Sequence, residues 1–284
     1  MARDEETSTG GIDVASGHAE LLADADRPGG WLLLVDRVRQ SYVDVNDPRY
    51  LDLEYVQHLA DIVDALPPGE LAVTHIGGGA FCFPRYLAVT RPGSPQIVFE
   101  PDEALTDFIR GRLPFARNAR VRVRPQGGRE GVAALKSASA DVVVLDAFLG
   151  ARVPAELTTA EFMADVARVL RPGGTFVANL ADGPPLTYLR RVVATVTAVL
   201  PNVLLISDPA VLKGRRYGNV VLAASTVDLP LPSVRRSAAA AMFPVQVLTG
   251  AELARFVGQA KPLTDADSLR SAEPPGETWR AGDY

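Results

Sequence analysis

A single cysteine, Cys82, is all that the chain carries. One thiol cannot form an internal disulfide or a cysteine-rich zinc site, and it suits a cytoplasmic location. Histidine is almost as scarce. His18, His58 and His75 are the only three, and no two have metal-ligand spacing, so no metal is expected. No Gly-x-Ser-x-Gly nucleophile elbow occurs. No apolar run approaches the roughly 20 residues of a membrane helix, and the N-terminus lacks the apolar stretch of a signal peptide. Lysine is confined to Lys136, Lys213 and Lys261, and the formal net charge is −5. That balance argues against a general affinity for nucleic acid or an anionic membrane.

What is present is ordinary globular material, with 47% hydrophobic and 22% charged residues over 284 positions, enough for a sizeable core. Residues 1–28 are polar and are expected to form a mobile leader. Residues 29–50 read as an N-terminal β-hairpin: Trp31–Val35 and Gln40–Val45 are short apolar or alternating runs, closed by Asn46-Asp47-Pro48. From Tyr50 to Leu66, apolar residues at Leu51, Tyr55, Leu59, Ile62, Val63 and Leu66 lie on one helical face, which Pro67-Pro68-Gly69 ends.

Strand and helix patterns then alternate. Strands are expected at Leu71–Ile76, Ile97–Glu100, Val121–Val123, Val142–Asp146, Thr175–Asn179, Val203–Ile206 and Val220–Ala224, with helical stretches between most of them. Unbroken apolar strands separated by helices imply a parallel sheet covered on both faces. Asp208–Tyr217 shows no clear helix, so the last two strands are expected to pair antiparallel. The fold class is therefore α/β: a Rossmann-like, methyltransferase-type seven-stranded sheet over residues 51–225. Residues 226–284 are expected to form an extension with one helix near Gly250–Val257 and a loop-like end.

The turn His75-Ile-Gly-Gly-Gly-Ala80 follows a strand and opens a helix. Glycines there allow a ligand to approach the backbone, or simply make a tight turn. Glu100, ending the next strand 21 residues after Gly79, favours the ligand, because an acid at that distance can accept hydrogen bonds from both ribose hydroxyls. Cys82, flanked by Phe81 and Phe83, takes the place of the third fingerprint glycine. That crowding favours a nucleoside without phosphates over NAD. Asp146 sits at the carboxyl end of a strand, where it could take a proton from a substrate amine or merely begin a turn. Asn179 and Asp182 end the next strand, His75 ends the first, and Lys213-Gly-Arg-Arg216 is a basic loop. For all of these a structural role or a solvated surface is the simpler reading.

Several segments together resemble the spermidine synthase (polyamine aminopropyltransferase) family, especially its actinobacterial spermidine-synthase-like proteins. They are Gln40-Ser-Tyr-Val-Asp-Val-Asn-Asp-Pro48, Asp52-Leu-Glu-Tyr-Val56, His75-Ile-Gly-Gly-Gly79, Asp141-Val-Val-Val-Leu-Asp146, Leu157-Thr-Thr-Ala-Glu-Phe162 and Val169-Leu-Arg-Pro-Gly-Gly174. The resemblance spans about Trp31 to Leu263. It implies a small N-terminal β domain, a homodimer, and transfer of an aminopropyl group from decarboxylated S-adenosylmethionine to a small-molecule amine. Carried over by position, Gly77, Gly78 and Gly79 form the nucleoside loop, Glu100 is the ribose acceptor, and Asp146 is the catalytic acid that activates the amine.

Three of the family's carboxylates are replaced. Ala80 stands where an acid grips the donor's cationic end, Gly127 where one meets the adenine amino group, and Leu149 where one holds the polyamine. Each lost charge-assisted contact could cost roughly 1.5–3 kcal/mol. Asp182 and Glu156 are the acids that could compensate. The leading reading is a spermidine-synthase-like transferase with an open acceptor. A methyltransferase using S-adenosylmethionine and a non-catalytic binding or scaffolding homologue are the alternatives.

Overall fold

The computed structural model describes residues 10–275. Its N-terminal part is a four-stranded antiparallel sheet, β1 (Ile12–Val14), β2 (Gly17–Ala23), β3 (Gly30–Val35) and β4 (Val38–Asp44), paired in sequence order. The expected hairpin is β3–β4, with Trp31 opposite Val43, and it stands outside the main sheet. The expected mobile leader is corrected for residues 12–23, which form two strands, while residues 1–9 lie outside the described part. The physical reason is a period-2 pattern: Ala19 and Leu21 are fully buried, and the polar His18 and Glu20 alternate with them.

The rest of the chain continues with α1 (Glu54–Asp64), β5 (Val73–Ile76), α2 (Cys82–Thr90), β6 (Gln96–Phe99), α3 (Glu103–Arg112), β7 (Val121–Arg124), α4 (Gly128–Ala133) and β8 (Ala140–Leu145). Then follow α5 (Ala160–Val169), β9 (Leu170–Asp182), α6 (Thr187–Thr197), β10 (Asn202–Ser207), α7 (Pro209–Leu212), β11 (Gly218–Ser225), α8 (Leu231–Ala240), β12 (Gln246–Thr249) and α9 (Gly250–Val257). The large sheet has the order β12-β10-β11-β9-β8-β5-β6-β7. β5 is central, parallel to β6 on one side and β8 on the other. β11 is inserted antiparallel between β9 and β10, which is the methyltransferase-type ending.

Two expectations need correction here. The sheet has eight strands rather than seven, because β12 from the C-terminal extension pairs antiparallel with β10. Four residues just after Phe243-Pro244 gave little pattern, and only the free edge of β10 makes them a strand. The segment after β10 is also not a plain loop. Asp208 caps α7, its carboxylate accepting from the Ala210 N–H.

Apolar strands are buried on both faces, as their unbroken runs required. Val142 and Val144 pack under α1 with Leu59, Ile62 and Val63, while Val143 and Leu145 face Phe162 and Val166 of α5. A third cluster joins the N-terminal sheet to the domain. Ala19, Leu21, Leu33, Val35 and Val43 meet Ala80, Phe81 and Val98 and the α3 residues Phe108 and Ile109.

Candidate functional site

Parallel order reverses between β5 and β8, so the chain leaves these two neighbours toward opposite faces, the arrangement in which open α/β sheets bind ligands in a crevice outside the strands' carboxyl ends. Gly77, Gly78 and Gly79 follow β5, Glu100 follows β6, and Asp146 follows β8. Adjacency brings Gly77, Gly78, Glu100 and Asp146 together. Gly77 has φ +97° and its position lies against the Asp146 carbonyl. Gly79, with φ +50°, faces Ser41 of β4, so the N-terminal sheet roofs this end of the loop.

Glu100 closes directly onto the glycine turn. Its Oε2 accepts from the Gly78 N–H at 2.8 Å and its Oε1 from the Asp102 N–H at 3.0 Å. Burial pushes its carboxyl upward, and these backbone donors pull it back. Asp102 carries the connection outward. Its Oδ2 accepts from the Ala15 N–H at 2.7 Å, in the β1–β2 turn, and its Oδ1 caps α3 at the Leu105 N–H. A carboxylate has about four acceptor sites, so Glu100 keeps capacity for further donors.

Asp146 is the most strongly perturbed carboxylate of the crevice. Burial raises its pKa to about 6, against hydrogen bonds from Asn179 and Tyr55 that favour the charged form. The Asn179 Nδ2 donates to Asp146 Oδ1 at 2.9 Å, and the Asn219 Nδ2 donates to Asn179 Oδ1 at 2.9 Å. Tyr55 reaches in from α1, its hydroxyl helping to lower the Asp146 pKa and its own pKa raised by burial and by that carboxylate. The Cys82 thiol also lies near Asp146 and is pushed up to about 12, chiefly by burial, so it stays a neutral thiol. A carboxylate poised near neutrality, oriented by two neutral donors, has the properties of a proton acceptor for an amine.

Of the other residues read from the sequence, His75 is structural. It is buried with its Nε2 2.8 Å from Gln96 Oε1 and its edge toward Phe83, and burial lowers its pKa to about 4. Asp182 does not line the mouth as a spare acid: it is 2% exposed, with its two oxygens accepting from the Gly183 and Leu189 N–H groups. Ala80 is fully buried in the cluster under the N-terminal sheet, and Leu149 is 52% exposed. Arg129, beside the Gly127 position, forms a bidentate pair with Asp265 and so ties down the C-terminal extension. A cavity of about 860 Å³ lies at the amino end of β10, lined by residues such as Ala194, Val203, Leu229 and Leu253. Asp228 is its one titratable residue, so it offers none of this chemistry.

Sequence reasoning missed Tyr55 and Asn219 and undervalued Asn179. The one available signal was a polar amide inside the apolar run Phe176-Val-Ala-Asn-Leu180. Tyr55 gave none, because a tyrosine on an amphipathic face looks like core.

A structure of a probable spermidine synthase from Corynebacterium glutamicum is 31% identical, with a TM-score of 0.85, covering 90% of this chain and 96% of that one. The chain belongs to the spermidine synthase family. The polyamine aminopropyltransferase of Vibrio vulnificus is 30% identical over 142 residues, which is 49% of this chain and 46% of that protein, so the chain matches under half the length of this relative. The Thermotoga maritima spermidine synthase shares the fold at a TM-score of 0.59 and 16% identity, over 92% of this chain and 82% of that one. No family profile matches the chain. Ala80, Gly127 and Leu149 carry no carboxylate in this chain, while Glu100 and Asp146 both lie against the Gly77–Gly78 turn. Among the described residues no cluster of His, Cys, Asp and Glu could hold a metal, and no helix is long and apolar enough to cross a membrane.

Proposed function

We propose that the chain is a transferase that binds an S-adenosylmethionine-type nucleoside at Gly77–Gly79 and Glu100 and uses Asp146 to accept a proton from an amine. The observation that carries this reading is Asp146 itself: a carboxylate beside the glycine turn that accepts from the Asn179 amide at 2.9 Å, its pKa raised by burial to about 6. A neutral amine attacks the carbon next to the sulfonium. The C–N bond forms, the C–S bond breaks with its electron pair left on sulfur, and the proton shed by nitrogen passes to Asp146. Alignment and one proton acceptor are all the reaction asks of the protein.

The acceptor is an amine other than putrescine. A polycation in a partly buried site needs carboxylates, and here Ala80 is packed in an apolar cluster, Asp182 is buried on backbone donors and Leu149 is apolar. The reading includes the family's homodimer. Calorimetry with S-adenosylmethionine, decarboxylated S-adenosylmethionine, methylthioadenosine and S-adenosylhomocysteine tests the donor. Binding of the decarboxylated form supports aminopropyl transfer. Preference for S-adenosylmethionine points to a methyltransferase, and no binding by any of the four removes the proposal.

A further inference from the structure

Asn219 and Asn179 stand on the adjacent strands β11 and β9, Asp146 directly follows the next strand, β8, and the three are joined in one line by two hydrogen bonds of 2.9 Å each. The line has a direction. A side-chain amide has an acceptor end and a donor end, and an ionised carboxylate only accepts. Asn179 must therefore turn its NH2 toward Asp146, which leaves its oxygen toward Asn219, and Asn219 offers that oxygen an NH2. Asn179 is 1% exposed, so both ends of its amide need partners. The Asn219 backbone is anchored on both sides: it pairs with Ala181 of β9, and its carbonyl accepts from the Ser207 hydroxyl of β10 at 2.6 Å.

We infer that Asn219 is a positioning residue: it fixes the Asn179 amide with its NH2 toward Asp146 and thereby holds that carboxylate in its ionised, proton-accepting form. The inference rests on the proposed role of Asp146 as proton acceptor. The titratable groups that face Asp146 are the Tyr55 hydroxyl from α1 and the Cys82 thiol from α2. Both are pushed upward and stay neutral near pH 7. Asp52 and Arg85 face the thiol in turn. Orientation of neutral donors is thus what opposes the burial of Asp146. If the amide turned over, its oxygen would confront the carboxylate, and Asp146 would hold its proton to higher pH.

The test follows the Asp146 carboxyl by carbon-13 NMR titration in the wild type, Asn219→Ala and Asn219→Asp, with folding checked by circular dichroism. Asn219→Ala removes the directing donor and is expected to raise the midpoint. Asn219→Asp reverses the direction of the line and is expected to raise it further, by about one pH unit or more. The introduced charge alone would also raise the midpoint, so the uncharged variant decides. An unchanged midpoint in folded Asn219→Ala overturns the inference. The acid limb of kcat/KM for donor consumption should move with the midpoint. A midpoint that moves in a protein that consumes no donor supports the line and removes the transferase reading. An unchanged midpoint in an active enzyme removes the line and leaves that reading standing.

Discussion

Gly77 and Asp146 touch through their backbones: a Cβ at Gly77 would fall 2.1 Å from the Asp146 carbonyl oxygen. The contact holds two loops of the crevice together, and φ of +97° at Gly77 is itself closed to most side chains. Gly77→Ala should destabilise the protein by about 2–4 kcal/mol and abolish nucleoside binding. Denaturant unfolding beside calorimetry checks this. A variant of unchanged stability would mean that the loops separate at little cost.

Asp146→Asn should lose turnover and gain stability, with a set pH dependence. The folded pKa of about 6 lies above the ordinary 3.8, so the native state binds more protons than the unfolded chain between these values. The contribution of this group therefore disfavours folding increasingly as pH rises through that window, and is fully unfavourable above it. Asp146→Asn should raise Tm at pH 8, by the equivalent of roughly 1–3 kcal/mol, and leave it unchanged near pH 3.5. The wild-type rate should fall below about pH 6 as Asp146 takes up its proton. Thermal melts at the two pH values and a pH–rate profile are the measurements.

Glu100→Ala should weaken nucleoside binding by roughly 1.5–3 kcal/mol, or about 10- to 150-fold. The same change frees the Gly78 and Asp102 N–H groups, so part of the loss is a loosened turn. Glu100→Gln, which keeps an acceptor oxygen, should recover part of the affinity. Equal affinity in all three proteins would reduce Glu100 to a structural brace.

Little or no conversion of putrescine to spermidine is expected with decarboxylated S-adenosylmethionine. The assay runs beside Asp146→Asn and a panel of monoamines. Robust spermidine formation that disappears in the variant would show that acids outside Ala80, Gly127 and Leu149 hold the diamine.

Phe81→Ala should cost about 3–5 kcal/mol and loosen the N-terminal sheet before the rest. Phe81 is fully buried where Leu21, Leu33 and Val43 meet the main domain. Limited proteolysis should cut within residues 10–50 first. Cleavage spread evenly over the chain would show that the two parts unfold together.

The central strands were legible in advance because each is a short apolar run between turn signals, and burial on both faces permits no other pattern. Val142-Val-Val-Leu145 is the plainest case. Gly77–Gly79 and Glu100 were legible for a related reason: turn chemistry and spacing are local properties of the chain. β1, β2 and β12 were not. β1 and β12 are brief and become strands only because a neighbour supplies a ladder of hydrogen bonds, and the period-2 pattern of β2 lies in a segment whose polar residues disguise it.

Asp146 could be named from its place after a strand, but its chemistry could not. A carboxylate's pKa depends on what lies within a few ångströms, and here that is Tyr55, 91 positions earlier, and Asn179, 33 positions later. The amino-acid order by itself determined the alternation of strands and helices and the acids available at their ends. Only the packed sheet decided that Asp182 would be spent on backbone N–H groups, and that Asn219 would reach Asp146 through Asn179. Hydrogen bonds across strands depend on register, and register is settled when the whole sheet closes around its core.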